Sequence, residues 1–287
     1  MKNAKANYVL TMTCPDVAGL VAEVSSLLAK NGAFILEANH HNELTSGRAF
    51  LRFAFVDQTK GHSADGWRAH YQPLIARYQA DLKIYDISQP MKVMIAVSKF
   101  GHCLQDLIHR WKAGILPVEI CGVVSNHEDM RSFVEWAGLP FHHLPITKDT
   151  KPQQEQQIRD LFKSYDAELL ILARYMQILS AEMCQDFDGK AINIHHSFLP
   201  SFKGARPYSQ AHAKGVKIIG ATAHYVTTNL DEGPIIEQAV ERVDHSVSVE
   251  EFVTIGRETE TVALTRAVRW HGERRVLLDG PRTVIFK

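Results

Sequence analysis

The sequence predicts an α/β protein made of two modules. Three observations carry that expectation. Apolar runs with the alternation of strands are interleaved along the chain with stretches of helical period. Up to about residue 88 they fall in the order β-α-β-β-α-β. Beyond it, near-continuous apolar strands alternate with helices across short turns, the pattern of a mostly parallel sheet covered on both faces.

In the first module YVLTMT, Tyr8 to Thr13, is strand-like, and CPD follows it with Asp16 placed to cap a helix. Leu20, Val21, Val24, Leu27 and Leu28 share one face of that helix, which Gly32 ends. AFILEANHHN and RAFLRFAFVD read as strands around the turn residues Thr45, Ser46 and Gly47; in the second, Leu51, Phe53 and Phe55 lie opposite Arg48 and Arg52. WRAHYQPLIARYQ is a helical stretch that Pro73 either kinks or restarts, and DLKIYDI closes the set as a strand. That order is the ferredoxin-like unit, one sheet covered by two helices. CPDVAGLVAEVSSLLAKNGAFI, with its D-x-x-G turn into the first helix, resembles the ACT family of amino-acid-sensing regulatory domains. The resemblance covers about residues 7 to 88. It implies that copies pair edge to edge, as a homo-dimer or homo-tetramer, and hold a small amino-acid effector near Asp16, Gly19 and Leu20. A module, 1–88, that only oligomerises is the open alternative.

SQPMK, Ser88 to Lys92, is the expected joint, so the second module is 89–287. MKVMIAVSK, PVEICGVVSN, LPFHHLPI, AELLILARY and AINIHHS read as its strands, and HCLQDLIHRWKAG, EDMRSFVEWAG and a polar run from about Pro152 to Tyr165 as the helices between them. VKIIGATAHYV adds a strand, and NLDEGPII turns into a return strand. VEEFVTIGRETETVALTRAVRWHGE is a long helix, and RVLLDGPRTVIF is a hairpin turning at Asp279 and Gly280. The expected sheet is Rossmann-like, and in such sheets ligands sit beyond the carboxyl ends of the strands.

Composition narrows the function classes. Lys plus Arg equals Asp plus Glu at 32 each, so the net charge points to neither nucleic acid nor an acidic membrane surface. No run reaches the ~20 apolar residues of a membrane helix, since AELLILARYMQIL is broken by Arg174. The basic, then apolar start is cut short by Asp16 and reads better as a strand than as a leader. Cys14, Cys103, Cys121 and Cys184 form no C-x-x-C pair, which favours buried free thiols in a reducing, cytoplasmic setting.

The chemistry concentrates in INIHHSFLPSFKGARPY, Ile192 to Tyr208. Alternation along a strand turns Asn193, His195 and Ser197 one way and Ile192, Ile194 and His196 the other. The pairs His40 with His41 and His142 with His143 diverge in the same manner, so no metal site is expected. LPSFKGARPY supplies a turn that brings backbone close to a ligand, with Lys203 unassigned. Asp231, in the turn NLDEGPII, has either a turn-forming or a site role.

N-I-H-x-S-x-L-P followed downstream by D-x-G-P-I-I resembles the formyltetrahydrofolate-dependent transferase and hydrolase fold family, from about Lys92 to Lys287. The resemblance implies a catalytic triplet of Asn193, His195 and Asp231. It implies 10-formyltetrahydrofolate as substrate, with no separate cofactor. ARYMQIL matches the loop that holds the pterin, so Tyr175, Met176, Gln177, Ile178 and Leu179 are its expected contacts. A helix start packed on the sheet is the alternative reading of that loop. His224 is either a support for the Asp231 carboxylate or a core histidine.

Attack on a formyl carbonyl creates an oxyanion, which Asn193 and His195 are placed to receive as donors. Asp231 can orient and deprotonate the attacking water, or relay a proton through it. Relatives that formylate glycinamide ribonucleotide carry a glycine-rich phosphate loop after the first strand. Here that loop reads SKFGHCLQD, in which Phe100 and His102 flank the single Gly101 and fill the cradle. Water is therefore the expected acceptor, giving formate and tetrahydrofolate and so formate for purine synthesis. Transfer to an unidentified amine is the alternative, and His102 or Lys99 could hold some other anion. Arg257, Arg266 and Arg269 either meet a folate glutamate tail or form a solvated helix face.

Overall fold

Antiparallel pairing organises the first unit. The computed structural model describes residues 6–59, 61–200 and 207–287. In order come β1 (Tyr8–Pro15), α1 (Leu20–Lys30), β2 (Ala33–Glu43), β3 (Arg48–Asp57), α2 (Ala64–His70), α3 (Gln72–Tyr78) and β4 (Asp81–Asp86). The strands pair in the order β2-β3-β1-β4, each pair antiparallel. Leu10 and Met12 of β1, Leu51, Phe53 and Phe55 of β3, and Leu20, Val24 and Leu28 of α1 close a core around Trp67 and Tyr71. Each of these large side chains contributes roughly 1.5–3 kcal/mol by leaving water. Pro73 restarts the second helical stretch: α3 begins at Gln72 with the proline in its first turn, where a missing N–H costs nothing.

Four details of this unit differ from expectation. Asp16 does not cap α1; Gly19 takes the capping position, without a side-chain bond, and Val21 faces outward. Arg52 is only 3% exposed, with Nη1 3.0 Å from Glu37 Oε2 and Nε donating to the Arg274 carbonyl. The sheet face that carries Phe50 and Arg52 is covered because Leu277, Val284 and Phe286 pack on Phe50. The residues up to Pro90 therefore form one compact unit together with Arg274–Asp279 and Val284–Lys287. Met91–Glu273 and Gly280–Thr283 form the other, so the division is not the single cut expected at residue 88.

The second unit runs β5 (Met91–Val97), α4 (His102–Lys112), β6 (Val118–Ser125), α5 (Arg131–Trp136), β7 (Phe141–His143), α6 (Lys151–Ser164) and β8 (Leu169–Leu172). It continues with α7 (Ala181–Asp186), β9 (Ala191–His195), α8 (Pro207–Ala213), β10 (Ile218–Tyr225), β11 (Ile235–Arg242) and α9 (Val249–Gly272). The sheet order is β11-β10-β9-β8-β5-β6-β7. Strands β7, β6, β5, β8 and β9 are parallel, while β10 runs antiparallel to both β9 and β11. Met94, Ile95, Ala96 and Val97 are all fully buried, because helices cover both faces of a central parallel strand. The chain leaves β5 towards β7 and returns to β8, so the strand order reverses between β5 and β8. That switch opens a crevice at the carboxyl ends of the two strands.

The long helix α9 starts with a reciprocal cap between Ser248 and Glu251. β12 (Val276–Asp279) and β13 (Arg282–Ile285) end the chain as a hairpin whose turn is Gly280 and Pro281, one residue later than expected. Cys14, Cys103 and Cys184 are buried free thiols; Cys121 is only partly covered. Among the described residues no helix is long and apolar enough to cross a membrane.

Candidate active site

Two antiparallel strands bring the polar groups together. β9 stops at His195, and its register sets Asn193 opposite His224 and His195 opposite Thr222 on β10. The chain then leaves β10 and turns through Asp231, whose φ of 57° is left-handed, before β11 returns. Gly233 makes that turn possible: a Cβ there would lie 1.8 Å from the Tyr225 carbonyl oxygen.

Asp231 Oδ1 lies 3.2 Å from His195 Nδ1 and 3.8 Å from His224 Nε2. His224 Nδ1 donates to the Tyr225 carbonyl at 2.8 Å, so its Nε2 is free to accept from the Asn193 amide at 3.3 Å. Burial pushes the Asp231 pKa up, but the hydrogen bond and charge from His195 outweigh burial and hold it well below the usual carboxylate range. His195 Nε2 is buried and has no hydrogen-bond partner among the described residues. Asn193, His195, His224 and Asp231 all line one cavity of ≈ 700 Å³.

The loop between β8 and α7 forms another wall of this cavity, with Tyr175, Met176, Gln177, Ile178 and Leu179 all on it. It is not the start of a helix, since α7 begins only at Ala181. Met176 and Ile178 are 52% and 63% exposed, which suits them to covering a flat apolar ligand. The Tyr175 side chain turns into the core instead, donating to Gln154 Oε1 at 3.1 Å.

Buried polar groups pin the loop at both ends. Ser98, at the end of β5, accepts from the Met176 N–H at 3.0 Å and donates to Asn126 Oδ1 at 2.7 Å. Its own N–H donates to the Arg174 carbonyl. Glu155 of α6 receives both the N–H and the hydroxyl of Ser180.

Several expectations need correction here. His196 borders the cavity beside His195, because strand alternation ends where β9 does. Burial, then the charges of Arg174 and His195, push the His196 pKa down to about 4. Ser197 is buried beneath the site, its carbonyl accepting from Thr222. Arg257 lies on the cavity, whereas Arg266 pairs with Glu237 and Arg269 with Glu273. Ser201 to Arg206, including Lys203, lie outside the described residues. In the first unit Asp16 and Gly19 are exposed and Leu20 is in the core. A cavity of ≈ 460 Å³ there is lined by α1 and α3 residues such as Glu23, Leu27 and Arg77, and does not include those three.

Glu260, Arg174 and Tyr208 were not anticipated as site residues, yet all three line the main cavity. The sequence held one signal for them: Glu260 sits on the stripe of α9 that buries Phe252, Gly256, Ala263 and Ala267, where a carboxylate needs partners. Together with His102 and Cys103 it forms a group whose ligand atoms lie within 4.8 Å of one another. Glu260 is already taken by His102, Tyr208 and Arg174, burial pushes the Cys103 thiol up, and an adjacent guanidinium opposes a cation.

A switch-point crevice in a mostly parallel sheet, with an amide, an imidazole and a carboxylate gathered at its edge, defines an enzyme of the formyl-transfer fold. A family model described as "Formyl transferase" matches residues 91–268. A formyltetrahydrofolate deformylase of Corynebacterium sp. (strain P-1) is 48% identical over 99% of both chains. The crystal structure of a formyltetrahydrofolate deformylase from Burkholderia mallei superposes with a TM-score of 0.93 at 50% identity, covering 98% of this chain and 100% of that one. More distant is a phosphoribosylglycinamide formyltransferase from Anaplasma phagocytophilum, at 30% identity and a TM-score of 0.64, covering 69% of this chain and 96% of that one. The chain belongs to the formyltetrahydrofolate deformylase family.

Proposed function

We propose that this enzyme hydrolyses 10-formyltetrahydrofolate to formate and tetrahydrofolate. The observation that carries the proposal is the buried His195 Nε2, unpartnered among the described residues and presented to the cavity by the Asp231 carboxylate at Nδ1. With the pterin on the 175–179 loop, the formyl carbon falls to the polar edge of the cavity. Asn193 uses one amide hydrogen on His224 and keeps the other for the oxyanion that forms when water attacks. His195 Nε2 is the atom through which protons move between water and the leaving nitrogen. Of the roles open to Asp231, orientation fits better than deprotonation, since a carboxyl with a depressed pKa is a weak base. It holds the ring, stabilises the imidazolium and orders the water.

Phe100 stands on the cavity at 47% exposure in the loop after β5, and His102 is tied to Glu260, which supports water over a second substrate as acceptor. Incubation with 10-formyltetrahydrofolate alone tests the reading. Formate should appear without any other addition; turnover that needs an added amine would assign a transferase instead. The same proposal places the enzyme in the cytoplasm as a source of formate for purine synthesis, working without a further cofactor.

For the first unit the proposal is an ACT-like regulatory role, supported by its strand order and the exposed turn at Asp16 and Gly19. Its edge strands, β2 and β4, are available for pairing into a homo-dimer or homo-tetramer, and an amino-acid effector would sit at that turn. Light scattering and formate-release rates with added amino acids test both parts.

A further inference from the structure

Four elements of the second unit meet at one carboxylate. Glu260 of α9 is 1% exposed. Its Oε2 lies 2.7 Å from His102 Nε2, at the start of α4, and 3.4 Å from Arg174 Nε, after β8. Its Oε1 accepts from the Tyr208 hydroxyl of α8 at 2.8 Å. All four residues line the cavity that holds Asn193, His195 and Asp231. Burial raises the Glu260 pKa, but His102, Arg174 and Tyr208 outweigh burial and bring it below its ordinary value, so a carboxylate stands there at neutral pH.

The backbone carries two costs at this cluster. Arg174 has a φ of 62°, a conformation that a side chain makes unfavourable. Gly256 lies within α9, where glycine is less favourable than alanine; a Cβ there would lie 2.1 Å from the Tyr208 ring. Both are accounted for if the cluster has a task, because the first places the guanidinium and the second seats the ring that reaches Glu260. Among the described residues Arg174 Nη1 is buried and makes no hydrogen bond, so a cation stands at the cavity wall with donor capacity unspent.

An unopposed buried arginine beside a formyl site would attract an anionic second substrate, such as a phosphate-bearing acceptor of the kind the phosphoribosylglycinamide formyltransferase is named for. Glu260 removes that attraction by pairing with Arg174 and by repelling an incoming anion. We propose that Glu260 is a specificity-determining residue: it neutralises Arg174 and, held by His102 and Tyr208, denies the cavity to anionic acceptors, leaving water to receive the formyl group. The consequence for water rests on the hydrolase reading above; the exclusion of anions does not.

Inorganic phosphate is the probe, because its binding is measured without turnover. Calorimetric titration of the wild-type chain should show no saturable binding. Glu260→Gln, which preserves shape and removes the charge, should bind phosphate at least about ten-fold more tightly. Adding Arg174→Met should abolish that binding, and Glu260→Asp should restore exclusion. In formate-release assays phosphate should compete with the folate for Glu260→Gln and leave the wild type unaffected. Equal phosphate affinity in wild type and variant, or a folded Glu260→Gln chain that binds none, would overturn the proposal. So would a failure of both Glu260→Gln and Glu260→Met to fold, which would make the carboxylate structural only. A wild-type chain that released no formate would sink the hydrolase reading, while the titration would still decide this one.

Discussion

His195 Nδ1 and Asp231 Oδ1 stand 3.2 Å apart, one at the end of β9 and the other in the turn that follows β10. The pairing fixes which imidazole nitrogen faces the carboxylate and which faces the cavity. Asp231→Asn removes the charge that holds the ring and stabilises its protonated form. The expected outcome is a fall in kcat of roughly 10²–10⁴-fold with folate binding retained. Formate release and equilibrium binding of the substrate check the two halves separately. Since Asp231 is held well below the usual carboxylate range, the wild-type rate profile should show no acid limb at an ordinary carboxyl pKa.

Ser98 anchors the 175–179 loop, the proposed contact of the pterin. Ser98→Ala leaves the Met176 N–H and Asn126 Oδ1 short of a partner, in a place where an unpaired buried group costs about 1–3 kcal/mol. The loop should lose register with the folate, so KM should rise by about ten-fold or more while kcat changes less. Steady-state kinetics would contradict this if kcat fell alone.

Gly233→Ala tests whether the Asp231 turn is sterically determined. The added Cβ would meet the Tyr225 carbonyl oxygen at 1.8 Å, and backbone cannot yield as a flexible side chain can. Loss of stability on the order of 1–3 kcal/mol is expected, together with loss of activity because Asp231 is displaced from His195. Urea unfolding followed by formate release reads both; an active variant of unchanged stability would refute the steric argument.

Acid should destabilise the fold earlier than carboxylate titration alone would cause. The His196 pKa is about 4 in the folded chain, against about 6.5 when unfolded. The unfolded chain therefore takes up the proton first. Stability is fully present above about pH 6.5 and declines by up to ~3 kcal/mol as pH falls to about 4. Burial moves His142 in the same direction. Unfolding midpoints measured between pH 7.5 and 5 should show a slope that His196→Gln makes shallower.

Much of the site was legible because it lies on regular elements or in short motifs. Asn193 and His195 share a face of β9 by alternation, and Asp231 sits in a turn whose Asp, Gly and Pro announce it. The cluster around Glu260 was not legible, because His102, Arg174, Tyr208 and Glu260 come from four separate segments whose meeting depends on the sheet order. His196 was misjudged for a local reason: the strand stops one residue before it. Alternation put Arg52 on the face opposite Leu51, Phe53 and Phe55, but nothing near it in sequence indicates that Arg274 and Glu37 would cover it.

What the chain's order of residues settled by itself was periodicity: the strands and helices of the two larger sheets, and Asn193 and His195 at the carboxyl end of β9. Those features follow from interactions between near neighbours, whose spacing is written in the sequence. The three-dimensional packing alone decided which charges are neutralised inside the cavity, because the energy of a buried charge is set by partners that only folding brings within a few ångströms.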